Sequence, residues 1–167
     1  MSTIGLFYGT ETGNTESVAE RIAEQFGSGV DIHNVADCSK SDVEQYDNII
    51  MGIPTWYDGE ITGDWEDFFP NLDDIDFSGK KVALFGLGDQ EGYAEYFLDA
   101  MGTLFDKLVE QGAEIVGQTS TDGYDYDESK AERDGQFVGL ALDEDNQDDL
   151  TDERIEAWVE ELKPAFS

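Results

Sequence analysis

The feature that most constrains this chain is a repeated change of period. Short apolar runs of strand length, "STIGLFY", "VDIHNV", "NIIMGI", "VALFGLG" and "AEIVG", are separated by stretches whose apolar residues recur at helical spacing. Val18, Ile22 and Phe26, with Ala19 and Ala23, make one helix face that Gly27 and Gly29 stop. A short helical piece is predicted around Val43 to Tyr46, and Phe97, Met101, Leu104, Phe105 and Leu108 place a longer helix before Gly112. Near the end, Ile155, Trp158, Val159 and Leu162 form an apolar stripe, with Thr151 as the expected cap and Asp152 and Glu153 beside the positive helix N-terminus. Strand then helix, repeated, calls for a parallel sheet covered by helices on both faces. The predicted class is doubly wound α/β. Ligands of such folds lie beyond the carboxyl ends of the strands where strand order reverses, so the segments after the first, third and fourth strands are the ones that matter.

One segment breaks the pattern. Between "AEIVG" and the apolar "FVGLAL" stands "QTSTDGYDYDESKAERDGQ", too long and polar for a tight turn. The simplest reading is a single last strand interrupted by a loop of about twenty residues, a length that is uncommon without a purpose. Lying outside the three site loops, residues 119–136 are expected to serve docking of a partner. No repeat or linker divides the rest, and one domain over residues 1–167 is expected.

Charge excludes several partners. The 40 Asp and Glu against 9 Lys and Arg leave a formal net charge of -31, which disfavours nucleic acid and anionic membrane. A basic protein partner, or a salty cytosol of a halophilic or salt-tolerant host that screens the repulsion, would each account for the excess. The first strand begins within a few residues of Met1 and no apolar run approaches about 18 residues, so a soluble, cytoplasmic protein without membrane insertion is expected. Cys38 is the only cysteine, which leaves no internal disulfide, and His33 has no second ligand near it in sequence. No metal site is predicted.

The three loops carry the chemistry. In "TETGNT", helix-initial N–H groups, the hydroxyls of Thr10, Thr12 and Thr15, and a glycine that permits close approach form an anion cradle. A hydroxyl-rich capping turn is the plainer alternative. The Walker lysine and its spacing are missing, so a phosphate monoester suits the turn better than a nucleoside triphosphate. After the third strand, "IPTWYDGE" sets Trp56 beside Tyr57; such aromatics either stack on a flat ring or merely close the sheet end. After the fourth, "GLGDQEGYAEYF" lacks the G-x-G-x-x-G spacing of a dinucleotide site, and Tyr93 is expected to open the next helix opposite Trp56. One phosphate cradle and two aromatic loops describe a site for a phosphorylated planar ring.

Taken in order, "GLFYGTETGNTESVAE", "PTWYDGE", "STDGYD", "GDQEGYAEYF" and "FVGLALDEDNQDDLTDERI" resemble the long-chain flavodoxins of cyanobacterial and algal type, over essentially the whole chain. The resemblance implies a five-stranded parallel sheet of order 2-1-3-4-5 and one non-covalent FMN. It implies a low-potential one-electron carrier, not an enzyme, that can substitute for a ferredoxin. Its implied partners are redox proteins such as a ferredoxin-NADP reductase or photosystem I, met by a monomer. The family's phosphate loop falls on Thr10, Glu11, Thr12, Gly13, Asn14 and Thr15, and its stacking aromatics on Trp56 and Tyr93. Backbone groups around Thr55, Tyr57, Asp58, Gly59, Leu87, Gly88, Asp89 and Gln90 are implied at the isoalloxazine edge. Asp145 falls where the family sets a carboxylate near the ribityl chain, and the rest of "DEDNQDDLTDE" reads as a solvated face. Asn14, where related chains often carry Lys, and Tyr57 and Asp58, where they carry smaller polar residues, depart from the pattern.

Physical chemistry agrees with a reductant. Asp58, Asp89, Glu91 and Asp145 lie in the site loops and no Lys or Arg does, so an extra negative charge on a bound ring is disfavoured. A flavin-dependent NAD(P)H:quinone reductase is the competing reading, and it requires a second pocket for which the chain offers only the acidic insertion. A phosphoacceptor receiver domain is excluded, because "GIPTW" stands where its aspartate would end the third strand.

Overall fold

In three consecutive positions of the sheet, neighbouring residues face opposite ways and both faces are apolar. The computed structural model describes residues 3–9, 14–54, 63–92, 95–144 and 146–166. It runs β1 (Ile4–Tyr8), α1 (Asn14–Phe26), β2 (Val30–Asn34), α2 (Lys40–Glu44), β3 (Asn48–Pro54), α3 (Gly63–Leu72), β4 (Lys81–Leu87), α4 (Asp99–Glu110) and β5 (Glu114–Val116). The segment that follows adds β6 (Thr119–Ser120), β7 (Glu132–Arg133) and β8 (Gln136–Phe137), before β9 (Leu140–Leu142) and α5 (Thr151–Ala165). Leu6, Ile50, Ala83 and Phe85 point to one side and pack with Val18 and Ile22 of α1 and Ile155 and Trp158 of α5. Phe7, Ile49, Met51, Val82 and Leu84 point to the other, against Trp65 and Phe68 of α3 and Met101, Leu104 and Leu108 of α4. A strand apolar on both faces has to be buried on both, and helices on each side do this.

The strand order is β2-β1-β3-β4-β5, every pair parallel. The fifth position is filled twice. β5 pairs with Lys81 to Ala83 of β4, and β9 continues alongside Phe85 to Leu87. Between them the chain leaves the sheet beside Leu84 and returns at Gly139, where a Cβ would stand 2.1 Å from the Leu84 carbonyl oxygen. No side chain fits that approach. Thr119 Oγ1 donates to the Gly139 carbonyl at 2.6 Å and closes the base of the excursion. The expected single strand with an inserted loop is therefore present, and the insertion carries its own small antiparallel sheet, β6-β8-β7.

Three local expectations are corrected, and one helix was not foreseen. Thr151 is the first residue of α5 and not its cap; Leu150 precedes it at the end of a short 3₁₀ turn, and the Thr151 hydroxyl donates to Glu144 instead. The short helix after β2 is displaced to Lys40–Glu44, and Tyr46 stands beyond it. Helix α4 starts at Asp99, because Leu98 takes φ 59°, ψ 22°, a left-handed conformation that interrupts the helix; Phe97 lies before it, buried. Helix α3, with Trp65 and Phe68 buried, went unread as a stripe.

Candidate functional site

The site begins where three strands end together. Tyr8 pairs with Gly52, and Pro54 with Leu87, so the chain leaves β1, β3 and β4 from neighbouring positions on one end of the sheet. Trp65, fully buried at the start of α3, lies beneath two of these exits: its Nε1 donates to the Gly52 carbonyl at 2.7 Å. A Cβ on Gly9 would come within 2.5 Å of its ring, so the first exit tolerates only glycine without rearrangement. Helix α1 starts at Asn14, within the predicted cradle of residues 10–15, and its thirteen residues put a positive helix end at Asn14 and Thr15. Thr15 is buried. The Tyr8 hydroxyl donates to Glu16 Oε2 at 2.8 Å, and burial together with that carboxylate pushes the phenol up to about 12.

The third exit, after Leu87, is held from behind. Gly88 N–H donates to the Leu142 carbonyl at 3.0 Å. Gln90 is buried, and both its peptide N–H and its side-chain Nε2 donate to Asp143 Oδ2, at 3.0 and 2.9 Å. The Gln90 N–H is thus committed to Asp143. Asn146 adds its own two donors to the same carboxylate, N–H to Oδ1 at 3.0 Å and Nδ2 to Oδ2 at 2.8 Å. Its Nδ2 also reaches Asp89 Oδ1 at 2.8 Å. Burial pushes the Asp89 carboxyl up, but hydrogen bonds from Gly92 N–H, Asn146 and Glu91 N–H outweigh it and hold the group below its ordinary value.

The insertion does not stand apart from this loop, as its polarity led us to expect. Asp125 N–H donates to Gln90 Oε1 at 2.6 Å, and Gln147 Nε2 donates to the Gly123 carbonyl at 3.0 Å. The Tyr124 hydroxyl donates to the Ala141 carbonyl at 2.6 Å, with the Arg154 guanidinium 4.1 Å from its ring. Tyr124 and Tyr126 pack on Phe97 and Phe137, and Ala131 and Phe137 are fully buried. The Ser129 hydroxyl donates to the Phe97 carbonyl, and Lys130 N–H donates to Asp99 Oδ1 at 2.8 Å.

Of the sequence-predicted site residues, the structure describes Thr15, Leu87, Gly88, Asp89 and Gln90 in full and Asn14 as the first residue of α1. It brings the first exit and the residue 87–90 loop to one end of the sheet. Thr10, Glu11, Thr12, Gly13, Thr55, Trp56, Tyr57, Asp58, Gly59, Tyr93 and Asp145 lie outside the described residues. Sequence reasoning missed Trp65 and Asp143. Asp143 belongs to the acidic run read as a solvated face, yet it is fully buried, and its neighbour Glu144 pairs with Arg21 at 3.2 Å. The available signal was position: Asp143 is the first charged residue after "FVGLAL", at the carboxyl end of the last strand. His33 Nε2 hydrogen-bonds the Tyr46 hydroxyl at 2.9 Å and its ring stacks on Phe7. The Cys38 thiol is pushed up to about 11 by burial and by Asp42 and Asp37. Among the described residues no group of His, Cys, Asp and Glu could hold a metal ion, and no helix is long and apolar enough to cross a membrane.

Comparison with known proteins agrees with this geometry. The flavodoxin family model matches residues 6–158. A flavodoxin of Picosynechococcus sp. is 57% identical over 169 residues, covering 99% of this chain and 99% of its own length. Flavodoxin 1 of Escherichia coli K12 is 54% identical over 164 residues, covering 97% of this chain and 93% of its own. Among solved structures, a Fusobacterium nucleatum flavodoxin bound to flavin mononucleotide superposes with a TM-score of 0.95 at 39% identity, covering 100% of both chains.

Proposed function

The chain belongs to the flavodoxin family, and on that premise we propose that it binds one FMN without covalent attachment and carries single electrons between redox proteins. One observation carries the reading: β1, β3 and β4 end side by side, with the N-terminus of α1 at the first exit, in a fold that matches an FMN-bound relative over its full length. The flavin supplies the one-electron chemistry. The chain's part is to hold it and set the field around it.

We assign the phosphate to Thr10, Glu11, Thr12, Gly13, Asn14 and Thr15, where helix-initial N–H groups and hydroxyls replace a cation. Trp56 and Tyr93 are assigned to the ring faces. Backbone of Thr55, Tyr57, Asp58, Gly59, Leu87, Gly88, Asp89 and Gln90 is assigned to the ring edge, and Asp145 to the ribityl side. For Gln90 the carbonyl is the group left for this work, since the N–H is bound to Asp143. Asp89 stays ionised at neutral pH under its three hydrogen bonds and opposes added negative charge nearby. The net charge of -31 suits encounter with basic surfaces on a ferredoxin-NADP reductase or photosystem I, by a cytoplasmic monomer of one domain.

The quinone-reductase reading gains nothing from the described surface. A groove of about 470 Å³ beside the insertion is lined by Glu95, Asp99, Asp127, Glu128 and Glu132 with Lys130, a wall of carboxylates that repels the pyrophosphate of a nicotinamide cofactor. The test is a titration of apoprotein with FMN and with riboflavin. Replacing Thr12 and Thr15 by Val should weaken FMN far more than riboflavin, each lost hydrogen bond to charged phosphate being worth about 1.5 to 3 kcal/mol. Equal losses for both flavins would remove the phosphate from this turn, and a parent that binds neither would overturn the function.

A further inference from the structure

From Gln90 and Asn146 alone, the fully buried carboxylate of Asp143 collects four hydrogen bonds, donated by the N–H and Nε2 of Gln90 and the N–H and Nδ2 of Asn146, all between 2.8 and 3.0 Å. Three of these converge on one oxygen, Oδ2. Gln90 then passes the connection on, its Oε1 accepting Asp125 N–H at 2.6 Å. A single carboxylate thus joins three segments far apart in sequence: the loop after β4, the loop after β9, and the insertion. We propose that Asp143, acting through Gln90, is the positioning residue of the loop at residues 87–90, and that by this route the insertion is part of the footing of the flavin site. The inference rests on the proposed function, in which that loop faces the ring edge.

Chemistry explains why a carboxylate stands here. A buried donor left without an acceptor costs its full desolvation, and four donors converge on this point. Only an acceptor-only side chain with two oxygens receives them all, and Asp is the shortest that does. The Gln90 amide is then oriented without ambiguity: its nitrogen must face Asp143 and its oxygen Asp125. With side chain and peptide N–H both pinned, the peptide plane between Asp89 and Gln90 is fixed, and with it the direction of the backbone groups presented to a ring.

The test uses the full chain, with FMN and riboflavin as probes. Gln90→Leu keeps the volume and deletes both side-chain hydrogen bonds; Asp143→Ala deletes the acceptor; Asp143→Asn can still turn an oxygen toward Gln90. We expect Gln90→Leu to weaken FMN and riboflavin by the same factor, about tenfold, because ring contacts and not phosphate contacts are disturbed. In the FMN-loaded parent we expect a long-wavelength absorbance band midway through photoreduction, and its height should change in the variant. Asp143→Asn should recover most of what Asp143→Ala loses in these two readouts. In apoprotein, amide hydrogen exchange should quicken in Gln90→Leu at residues 87–92 and at residues 121–126 together. Parental binding and an unaltered band in Gln90→Leu, with only a lower melting temperature, would overturn the inference and leave the proposed function standing. Exchange that quickens at one segment alone would overturn the coupling to the insertion. A parent that takes up neither flavin overturns the function, and this inference with it.

Discussion

Among the carboxylates that fasten the insertion to the body of the molecule, two buried ones are built differently. At one end Asp143 receives two hydrogen bonds from Gln90, which in turn holds Asp125, and two from Asn146. At the other, Asp99 opens α4 beneath the segment and its Oδ1 accepts Lys130 N–H at 2.8 Å. Burial pushes the Asp99 carboxyl above its ordinary value, against the pull of the Lys130 N–H and charge, with Glu128 adding to the rise. The difference teaches what a buried carboxylate needs. Donors on both oxygens replace the lost water; a thinner set leaves the charge resisting its place.

Breaking the stronger junction should give the largest effect. Asp143→Ala leaves four donors facing a void, and a stability loss of about 3 kcal/mol or more is expected, read by thermal or urea melting at pH 7. A loss no greater than that of an ordinary surface substitution would mean that water replaces the carboxylate at no cost.

Salt comes next, because it acts on the whole charge of -31. The Debye length falls from about 10 Å at 0.1 M to about 3 Å at 1 M, so the melting temperature of the parent should climb well beyond 0.1 M NaCl. A flat or falling curve would count against a halophilic or salt-tolerant host. Asp143→Ala should remain costly throughout, since hydrogen bonds at a buried group are poorly screened.

The weaker junction should respond with the opposite sign. Because the folded carboxyl of Asp99 lies above its ordinary value of 3.8, its contribution to stability is full below that value and is lost as pH rises through the folded one. Asp99→Asn, which can still accept from Lys130, should therefore melt higher than the parent at pH 7, with the gain vanishing as pH falls below about 4. A variant that melts lower at pH 7 would place Asp99 in the same class as Asp143. Asp89 sharpens the contrast with the smallest effect, being partly exposed. Its carboxyl is held low, so it stabilises above the ordinary value and loses that contribution as pH falls through the folded one. Asp89→Asn should melt slightly lower at pH 7 and indistinguishably from the parent once both are acidified.

How much of this could be read in advance depended on distance along the chain. The two-sided alternation of Leu6 and Phe7, Ile49 and Ile50, or Ala83 and Leu84 is local, and it led directly to a parallel sheet with helices on both faces. The polar gap between "AEIVG" and "FVGLAL" was equally local, and it marked a divided last strand. Asp143 was hidden because its partner Gln90 is 53 residues away and it belongs to the acidic run that, Asp145 apart, read as a solvated face. Trp65 was missed for the same reason, its acceptor being the backbone of Gly52 in another element. Thr151 followed the cap pattern but found a carboxylate, Glu144, through tertiary contact. The polarity of the insertion concealed Tyr124 and Tyr126, whose packing comes from Phe97 across the fold.

The divided fifth strand has a consequence for how the molecule opens. β5 and β9 each hold β4 by only three residues, and a glycine sits where a continuous strand would have carried the pairing across. Each half can therefore peel without waiting for the other, as a small cooperative unit of its own. Asp143 follows directly on Leu142, the last residue of β9. When β9 lifts, the carboxylate leaves with it, and Gln90 loses its anchor while β1, β3 and the first half of β4 stay paired. The loop at residues 87–90 is thus tied to one three-residue half of a split strand, and a route for loosening at this edge is written into the topology.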